Sequence, residues 1–184
     1  MIIGICGKSG SGKSTLARTL TKYYDNAIHL DIDKIGHQVL MIKDVKKELI
    51  KSYGNKILIG KNIDRKKLGE IVFNSHLEME KLTEITWKYM QMEIDNFLIE
   101  NKNKIIILDW LLLPMSKYFD ECDIKILLDI PYEIRKERAI KRDNLTKEAF
   151  DLREKASLSY NPNNFNYVIS DNNEIEIKRL VKLI

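Results

Sequence analysis

Short apolar runs alternate with longer amphipathic stretches along this chain, and the alternation predicts its secondary structure. Five runs of four to seven residues, rich in isoleucine, leucine and valine, have the length and composition of buried strands. The predicted strands cover residues 1–6, 27–30, 104–110, 124–130 and 166–170. Elsewhere apolar residues recur three and four positions apart, which predicts helices. Helices are expected at residues 14–24, 131–143, 144–159 and 175–184.

Strands that alternate with helices are typical of a parallel sheet flanked by helices, so the pattern predicts an α/β fold. Residues 34–103 interrupt the alternation with a long helical stretch. We interpret this stretch as a helical lobe inserted at the carboxyl edge of the sheet, where open α/β sheets bind ligands. The expected organisation is a single domain, with its core at residues 1–33 and 104–184.

Composition narrows the class of partner. The formal net charge of +4 is mild and spread out, which suits a small anionic ligand rather than nucleic acid. No apolar run approaches a membrane span, and the first ten residues lack a signal-peptide pattern, so we expect a cytoplasmic protein without membrane contacts. Cys6 and Cys122 have no metal-binding spacing and are predicted to be buried thiols. Oligomeric state stays open.

The most specific local motif is GKSGSGKST at residues 7–15, between a predicted strand and a predicted helix. It matches the phosphate-binding pattern GxxxxGK[ST], the P-loop. Glycines let main-chain amides curl around phosphate oxygens, the helix start adds a positive dipole, and Lys13 adds a flexible cation. The motif predicts binding of a nucleotide through its phosphates, with Mg²⁺ held by the Ser14 hydroxyl. The predicted nucleotide contacts are Gly7, Lys8, Ser9, Gly10, Ser11, Gly12, Lys13, Ser14 and Thr15.

Carboxylates at the ends of two predicted strands are candidates for metal binding and catalysis. Asp109 ends the run IIILD, a position that suits a carboxylate steadying hydrated Mg²⁺; capping of a turn is the alternative. Asp31 and Asp33 follow the second strand two residues apart, a spacing that sends both side chains the same way in a strand. One of the two carboxylates could orient an acceptor hydroxyl and take its proton. Helix capping by Asp33 is the competing interpretation.

Arginines after the fourth predicted strand indicate a lid. Arg138 and Arg142 are four residues apart and share a helix face, and Arg153 follows on the next helix. Phosphoryl transfer needs positive charge over the γ-phosphate, and a mobile arginine-bearing segment supplies it while excluding water. We therefore expect a lid at about residues 135–158, in which Arg138 and Arg142 contact the nucleotide. Arg135 is interpreted as part of a solvated helix face.

In this order, the motifs resemble the dephospho-CoA kinase family. That family resembles this chain in its GxxGSGKS loop, its DxD followed by a helix, and its lobe motif, which is IDRKKLGEIVF at residues 63–73 here. The strand end LDWLLL, the lid pattern RxxxRD and the late VISDN at residues 168–172 are also similar. The resemblance covers nearly the whole chain, and its lobe motif is far more specific than the P-loop.

The resemblance implies a P-loop NTPase-type fold and ATP-dependent phosphorylation of the ribose 3′-hydroxyl of dephospho-CoA or a similar hydroxyl acceptor. It implies that Asp33 is the base, with Asp31 beside the acceptor. Lys13 and Ser14 would hold phosphate and Mg²⁺, and Arg142 would contact ATP from the lid. Arg65 becomes a candidate on the acceptor side, with a helix-surface role as the alternative.

The chain departs from the family pattern at residues 87–88, at residues 111–115 and at Ser157, near where the acceptor is expected. Two alternatives therefore stay open. One is another small-molecule P-loop kinase, for example one that acts on a nucleoside. The other is a nucleotide-binding sensor without catalysis, against which the presence of both Asp31 and Asp33 argues.

Overall fold

The computed structural model of the protein describes residues 1–171 and 173–184, and of Glu174 only the backbone. Asn172, the last residue of the VISDN motif, therefore lies outside the described residues. The chain divides into two compact units. One consists of Met1–Ile32 with Asn101–Ile184, and the other of Asp33–Glu100.

The described residues form strands and helices in alternation, as the hydrophobic pattern predicts. The strands are β1 (Ile2–Gly7), β2 (Ala27–Asp31), β3 (Leu58–Ile59), β4 (Asn62–Ile63), β5 (Ile105–Asp109), β6 (Ile124–Leu128) and β7 (Tyr167–Ile169). The helices are α1 (Lys13–Tyr23), α2 (Ile32–Val39), α3 (Lys43–Tyr53), α4 (Arg65–Val72), α5 (His76–Glu100), α6 (Tyr132–Asp143), α7 (Lys147–Lys155) and α8 (Glu174–Leu183).

The first unit contains a five-stranded parallel sheet in the order β2-β5-β1-β6-β7. All five predicted strands are confirmed within one or two residues. Because β1 is central and the strands are parallel, the loop after β1 lies at the same edge as the carboxyl ends of β2, β5 and β6. Helices α1 and α8 contribute to the apolar core of this unit, where Ile5, Ile107, Leu16 and Leu180 are buried together.

The second unit is mostly helical, as predicted, but it also contains a short antiparallel hairpin of β3 and β4. The expectation of helix throughout residues 34–103 is wrong at this point, because strands of two residues are too short to show a hydrophobic period. Gly60, in the turn, has φ of 57°, a left-handed conformation that glycine adopts without strain. Asp64 then caps α4 by accepting from the main-chain N–H of Lys66 at 2.9 Å.

Helix α7 is shorter than its pattern predicts. Asn144 has φ of 50° at the end of α6, which stops that helix, and the Thr146 hydroxyl caps α7 by accepting from Ala149 N at 3.2 Å. The expected range of 144–159 is wrong at both ends. Among the described residues, none of the helices combines the length and the apolarity needed to cross a bilayer.

Both cysteines are buried thiols in the first unit, as predicted. Burial raises the pKa of Cys6 far above its usual range and raises the pKa of Cys122 to about 12. Cys122 Sγ packs against the main chain of β1, since a Cβ placed on Gly4 would lie 2.7 Å from it.

Candidate functional site

The segment between β1 and α1 is a tight loop that its glycines make possible. Gly10 has φ of 80°, and a Cβ at this position would lie 2.1 Å from the carbonyl oxygen of Arg135 on α6. A Cβ on Gly7 would lie 2.6 Å from Ser11 Oγ. The main-chain N–H of Ser11 donates to Lys8 O at 3.1 Å and closes the turn. The loop is thus curled in the way that the phosphate-binding motif requires.

Lys13 is the first residue of α1 and is only 9% exposed. The residue before it, Gly12, accepts at its carbonyl from Thr15 N and Leu16 N, both at 3.0 Å. The Lys13 ammonium forms no ion pair within the part of the chain that the structure describes. A buried cation at a helix start, beside a curled loop, provides both a fixed positive charge and unsatisfied main-chain donors. This arrangement can bind an anion such as a phosphate chain.

Asp109 is a buried carboxylate on β5, the strand that pairs with β1. It ends β5, is 2% exposed, and pairs in register with Ile5 of β1 and Asp31 of β2. Its Oδ2 lies 3.4 Å from Nε2 of His29, but neither atom has a hydrogen-bond partner in the described chain. A buried carboxylate oxygen without a donor is costly unless a ligand completes it.

The donor set fits Mg²⁺. The Asp109 Oδ2 atom and the Ser14 hydroxyl are hard oxygen ligands at the same edge of the sheet. Residues 1–171 and 173–184 contain no cluster of three or more histidine, cysteine, aspartate or glutamate side chains that could hold a metal ion. Mg²⁺ bound to a nucleotide does not need such a cluster, because it uses one or two protein ligands together with phosphate and water.

Asp31 and Asp33 do not continue one strand, so the expectation that their side chains share a direction is wrong. Asp31 is the last residue of β2, and α2 begins at the next residue, Ile32. Asp33 is therefore in the first turn of a helix, where each residue turns by about 100° rather than 180°. Asp33 is exposed and belongs to the second unit, whereas Asp31 is half-buried in the first.

A network of three charged side chains links the loop to α6 and α7. The Glu154 carboxylate on α7 accepts from Lys8 Nζ at 2.8 Å through Oε1. It also forms a two-pronged pair with Arg135, with Nη2 2.9 Å from Oε1 and Nη1 2.8 Å from Oε2. Arg135 donates further through Nε to Ile130 O at 2.8 Å. The network holds the pKa of Glu154 at about 2, chiefly through the hydrogen bonds from Arg135.

The prediction that Arg135 lies on a solvated face is wrong, since it is only 5% exposed. Helical spacing places Arg135 one turn before Arg138 but does not reveal Glu154, which is 19 residues further along the chain. Glu154 is therefore a residue that sequence reasoning missed. A buried arginine opposite an acidic helix residue leaves no local signal in the sequence.

Of the two arginines predicted to form a lid, Arg142 lies at the junction of α6 and α7. Arg142 pairs with Asp143, with Nε 2.7 Å from Oδ1, and Arg153 contacts the same carboxylate at 3.1 Å. These two arginines hold the pKa of Asp143 below its usual range. Arg138 is exposed on α6, and Arg65 is exposed in the second unit at the start of α4. Arg142 and Arg153 thus meet at one carboxylate, and the function of this segment as a lid stays a prediction.

The stretch at residues 111–115, which departs from the family pattern, divides into buried and exposed residues. Leu113 is fully buried and packs against Gly4, whereas Leu112 and Met115 are 44% and 72% exposed. Tyr160, after α7, donates its hydroxyl hydrogen to Leu111 O at 2.8 Å.

Beside Tyr160 is a cleft of about 220 Å³ at the carboxyl end of β6. Its lining includes Lys8, Asp129, Arg135, Ser159 and Tyr160.

A parallel sheet whose central strand leads through a glycine-rich loop into a helix with a buried lysine defines a P-loop nucleotide-binding protein. The family profile for dephospho-CoA kinase matches residues 1–176. This chain belongs to the dephospho-CoA kinase family.

Individual relatives agree with this assignment. A dephospho-CoA kinase of Fusobacterium nucleatum is 38% identical over 168 residues, which are 86% of this chain and 82% of the relative. A dephospho-CoA kinase of Aquifex aeolicus is 35% identical over 179 residues, 95% of this chain and 90% of the relative. In fold, the chain is similar to a Thermus thermophilus protein called TT1252, with a TM-score of 0.82 at 24% identity, over 100% of this chain and 95% of that one.

Proposed function

We propose that this protein transfers the γ-phosphoryl group of ATP to the ribose 3′-hydroxyl of dephospho-CoA. The observation that carries the proposal is the buried Lys13 at the end of the curled loop, in a chain that matches the dephospho-CoA kinase family over residues 1–176. The loop can bind the phosphates of a nucleotide, and membership of the family supports dephospho-CoA as the acceptor.

The loop residues bind the phosphate chain. Main-chain amides of residues 8–15 donate to the β- and γ-phosphate oxygens, and the Lys13 ammonium pairs with them. Ser14 and Asp109 would hold Mg²⁺, which when bound neutralises charge that builds on the phosphate oxygens. Asp109 suits this role because its Oδ2 atom is buried without a donor in the described chain.

Asp33 takes the proton of the acceptor hydroxyl in this proposal, with Asp31 at the edge of the acceptor site. An exposed carboxylate at the first turn of a helix can reach a ligand, and a carboxylate that contacts the acceptor hydroxyl can accept its proton. Arg138 and Arg142 stabilise charge on the transferring group from the α6 side, and Arg65 contacts the acceptor.

The test is ADP release measured with dephospho-CoA and, separately, with a panel of nucleosides. The proposal expects release with dephospho-CoA, at a rate at least about a hundredfold above any nucleoside, because a hydroxyl acceptor is selected by its whole binding site. Release with a nucleoside but not with dephospho-CoA would assign another acceptor to the same phosphate site. Binding of ADP by the protein, together with no ADP production from ATP with any acceptor, would support a nucleotide-binding sensor instead.

A further inference from the structure

We propose that Glu154 is a positioning residue for the phosphate-binding loop, because it holds Lys8 and Arg135 at once and thereby sets the affinity for nucleotide. The inference rests on nucleotide binding at this loop, which is part of the proposed function. It adds a residue on α7 that does not itself touch the nucleotide.

Glu154 uses both carboxylate oxygens. Oε1 accepts from Lys8 and from Arg135, and Oε2 accepts from Arg135 alone. The side chain of Glu154 is 19% exposed and that of Arg135 is 6% exposed, so the pair is shielded from much of the solvent. Shielded, two-pronged arginine–carboxylate pairs fix geometry more strongly than exposed ion pairs do.

Arg135 passes this constraint to the loop through its main chain and its side chain. Its carbonyl oxygen is the atom that packs against Gly10, and its Nη1 lies 3.4 Å from Ser9 O. Lys8 adds a second attachment on the strand side of the loop. Three consecutive loop residues are therefore held in place by a network that depends on one carboxylate of α7.

Loss of the Glu154 charge leaves two cations, Lys8 and Arg135, next to each other without a counter-ion between them. Their repulsion and the unpaired, buried guanidinium favour loop conformations in which residues 8–10 move away from α6. Nucleotide then binds only the fraction of molecules that retain the curled loop, and apparent affinity falls in proportion to that fraction. The chemical step, which follows binding, changes less.

The experiment compares wild type, Glu154→Gln and Glu148→Gln by calorimetric titration with Mg·ADP. Glu148 is exposed in the first turn of the same helix, so its variant controls for the loss of one negative charge from α7. We expect the Kd for Mg·ADP to rise by about tenfold in Glu154→Gln and by less than about twofold in Glu148→Gln. In turnover assays, KM for ATP should rise similarly, with kcat within about threefold of wild type.

A merely structural role for Glu154 predicts a lower thermal midpoint with an unchanged Kd for Mg·ADP, and that result would overturn the inference. Arg135→Gln combined with Glu154→Gln replaces the charged pair by two amides that can bond each other. We expect this double variant to regain at least half of the lost binding free energy. No recovery would overturn the link through Arg135.

If Glu154→Gln does not fold, Glu154→Asp keeps the charge on a shorter side chain that cannot reach Lys8 and Arg135 together. It should raise the Kd for Mg·ADP by about threefold, and wild-type affinity in the folded variant would overturn the inference. Because the titration needs no acceptor, its result is independent of turnover. The proposed function would be refuted if wild-type protein bound Mg·ADP but did not phosphorylate dephospho-CoA. The role of Glu154 in nucleotide binding could still be measured in that case.

Discussion

Asp109 and His29 face each other across neighbouring strands with Oδ2 and Nε2 3.4 Å apart, and neither atom has a hydrogen-bond partner in residues 1–171 or 173–184. Folding gains little from this contact, since burial of a carboxylate is costly and its Oδ2 atom accepts no hydrogen bond in the described chain. An arrangement of this kind, at the edge of the sheet where the loop lies, favours a functional role for the Asp109 carboxylate over a structural one.

Asp109→Asn should therefore separate stability from activity. We expect kcat to fall by about 10²-fold and the Mg²⁺ concentration for half-maximal rate to rise, because a neutral amide is a poor ligand for a hard cation. The free energy of unfolding should stay constant or increase by about 1 kcal/mol, because a buried charge is removed. Steady-state kinetics over a Mg²⁺ series and urea unfolding measure the two effects.

The control for this prediction is Asp25→Asn, an exposed aspartate in the turn before β2. It should change neither quantity. A loss of stability in Asp109→Asn of more than about 2 kcal/mol would indicate that the carboxylate has a structural role.

Gly10→Ala should distort the loop, because the new Cβ would meet Arg135 O at 2.1 Å and the φ of 80° disfavours any side chain. We expect a loss of roughly 2–4 kcal/mol in the free energy of unfolding and at least about tenfold weaker binding of Mg·ADP. Gly60→Ala isolates the conformational part, since Gly60 also has positive φ but no atom within 4 Å of the added Cβ. That variant should lose only about 1 kcal/mol. Equal losses in the two variants would refute the steric argument.

Asp33→Asn should abolish turnover and leave the affinity for nucleotide unchanged. If Asp33 takes the proton of the acceptor, its amide analogue should lower kcat by about 10²–10⁴-fold while the Kd for Mg·ADP stays within about twofold. Asp44→Asn is the matched control, because Asp44 occupies the first turn of α3 as Asp33 occupies that of α2. Both variants lose the same favourable contact with a helix dipole. Wild-type turnover in Asp33→Asn would transfer the role of base to another group, with Asp31 as the next candidate.

The network around Glu154 should make stability depend on acid pH. The folded pKa of about 2 lies below the value of 4.5 for a free glutamate, so the stabilisation is present above pH 4.5 and is lost as pH falls towards 2. Discounted for partial solvent screening, the effect is on the order of 1–2 kcal/mol.

Urea unfolding of wild type and Glu154→Gln at pH values between 3 and 7 tests this dependence. The difference in unfolding free energy should be constant from about pH 6 to pH 7 and should shrink steadily below about pH 5. Glu148→Gln should follow wild type throughout. A gap between wild type and Glu154→Gln that does not change with pH would mean that the ionised carboxylate is not the stabilising form.

Sequence pattern predicted the sheet well because its three central strands, β5, β1 and β6, are largely buried. Runs such as IIILD at 105–109 are continuous in apolar residues, and the loop motif at 7–15 fixes which strand precedes the phosphate site. Thr146 was predictable as a cap because the capping hydroxyl acts within three residues. Local interactions of this kind can be predicted from the spacing of residues along the chain.

Contacts between distant residues were not predictable in the same way. The burial of Arg135 depends on Glu154, and the change of direction between Asp31 and Asp33 depends on a helix that begins without a linker after β2. Neither arrangement changes the hydrophobic period on which the predictions relied. The hairpin of β3 and β4 was not predicted for another reason, because two residues per strand are too few to establish an alternation of apolar and polar positions.

The burial of both cysteines has a practical consequence for chemical labelling of a protein whose proposed acceptor carries a thiol. Cys6 and Cys122 remain protonated at neutral pH because burial raises both pKa values, so neither exchanges readily with a disulfide or a maleimide. A single cysteine introduced on the outer face of α7 would then be the one reactive sulfur of the protein. A fluorophore attached there could report in real time how that helix responds when a nucleotide arrives.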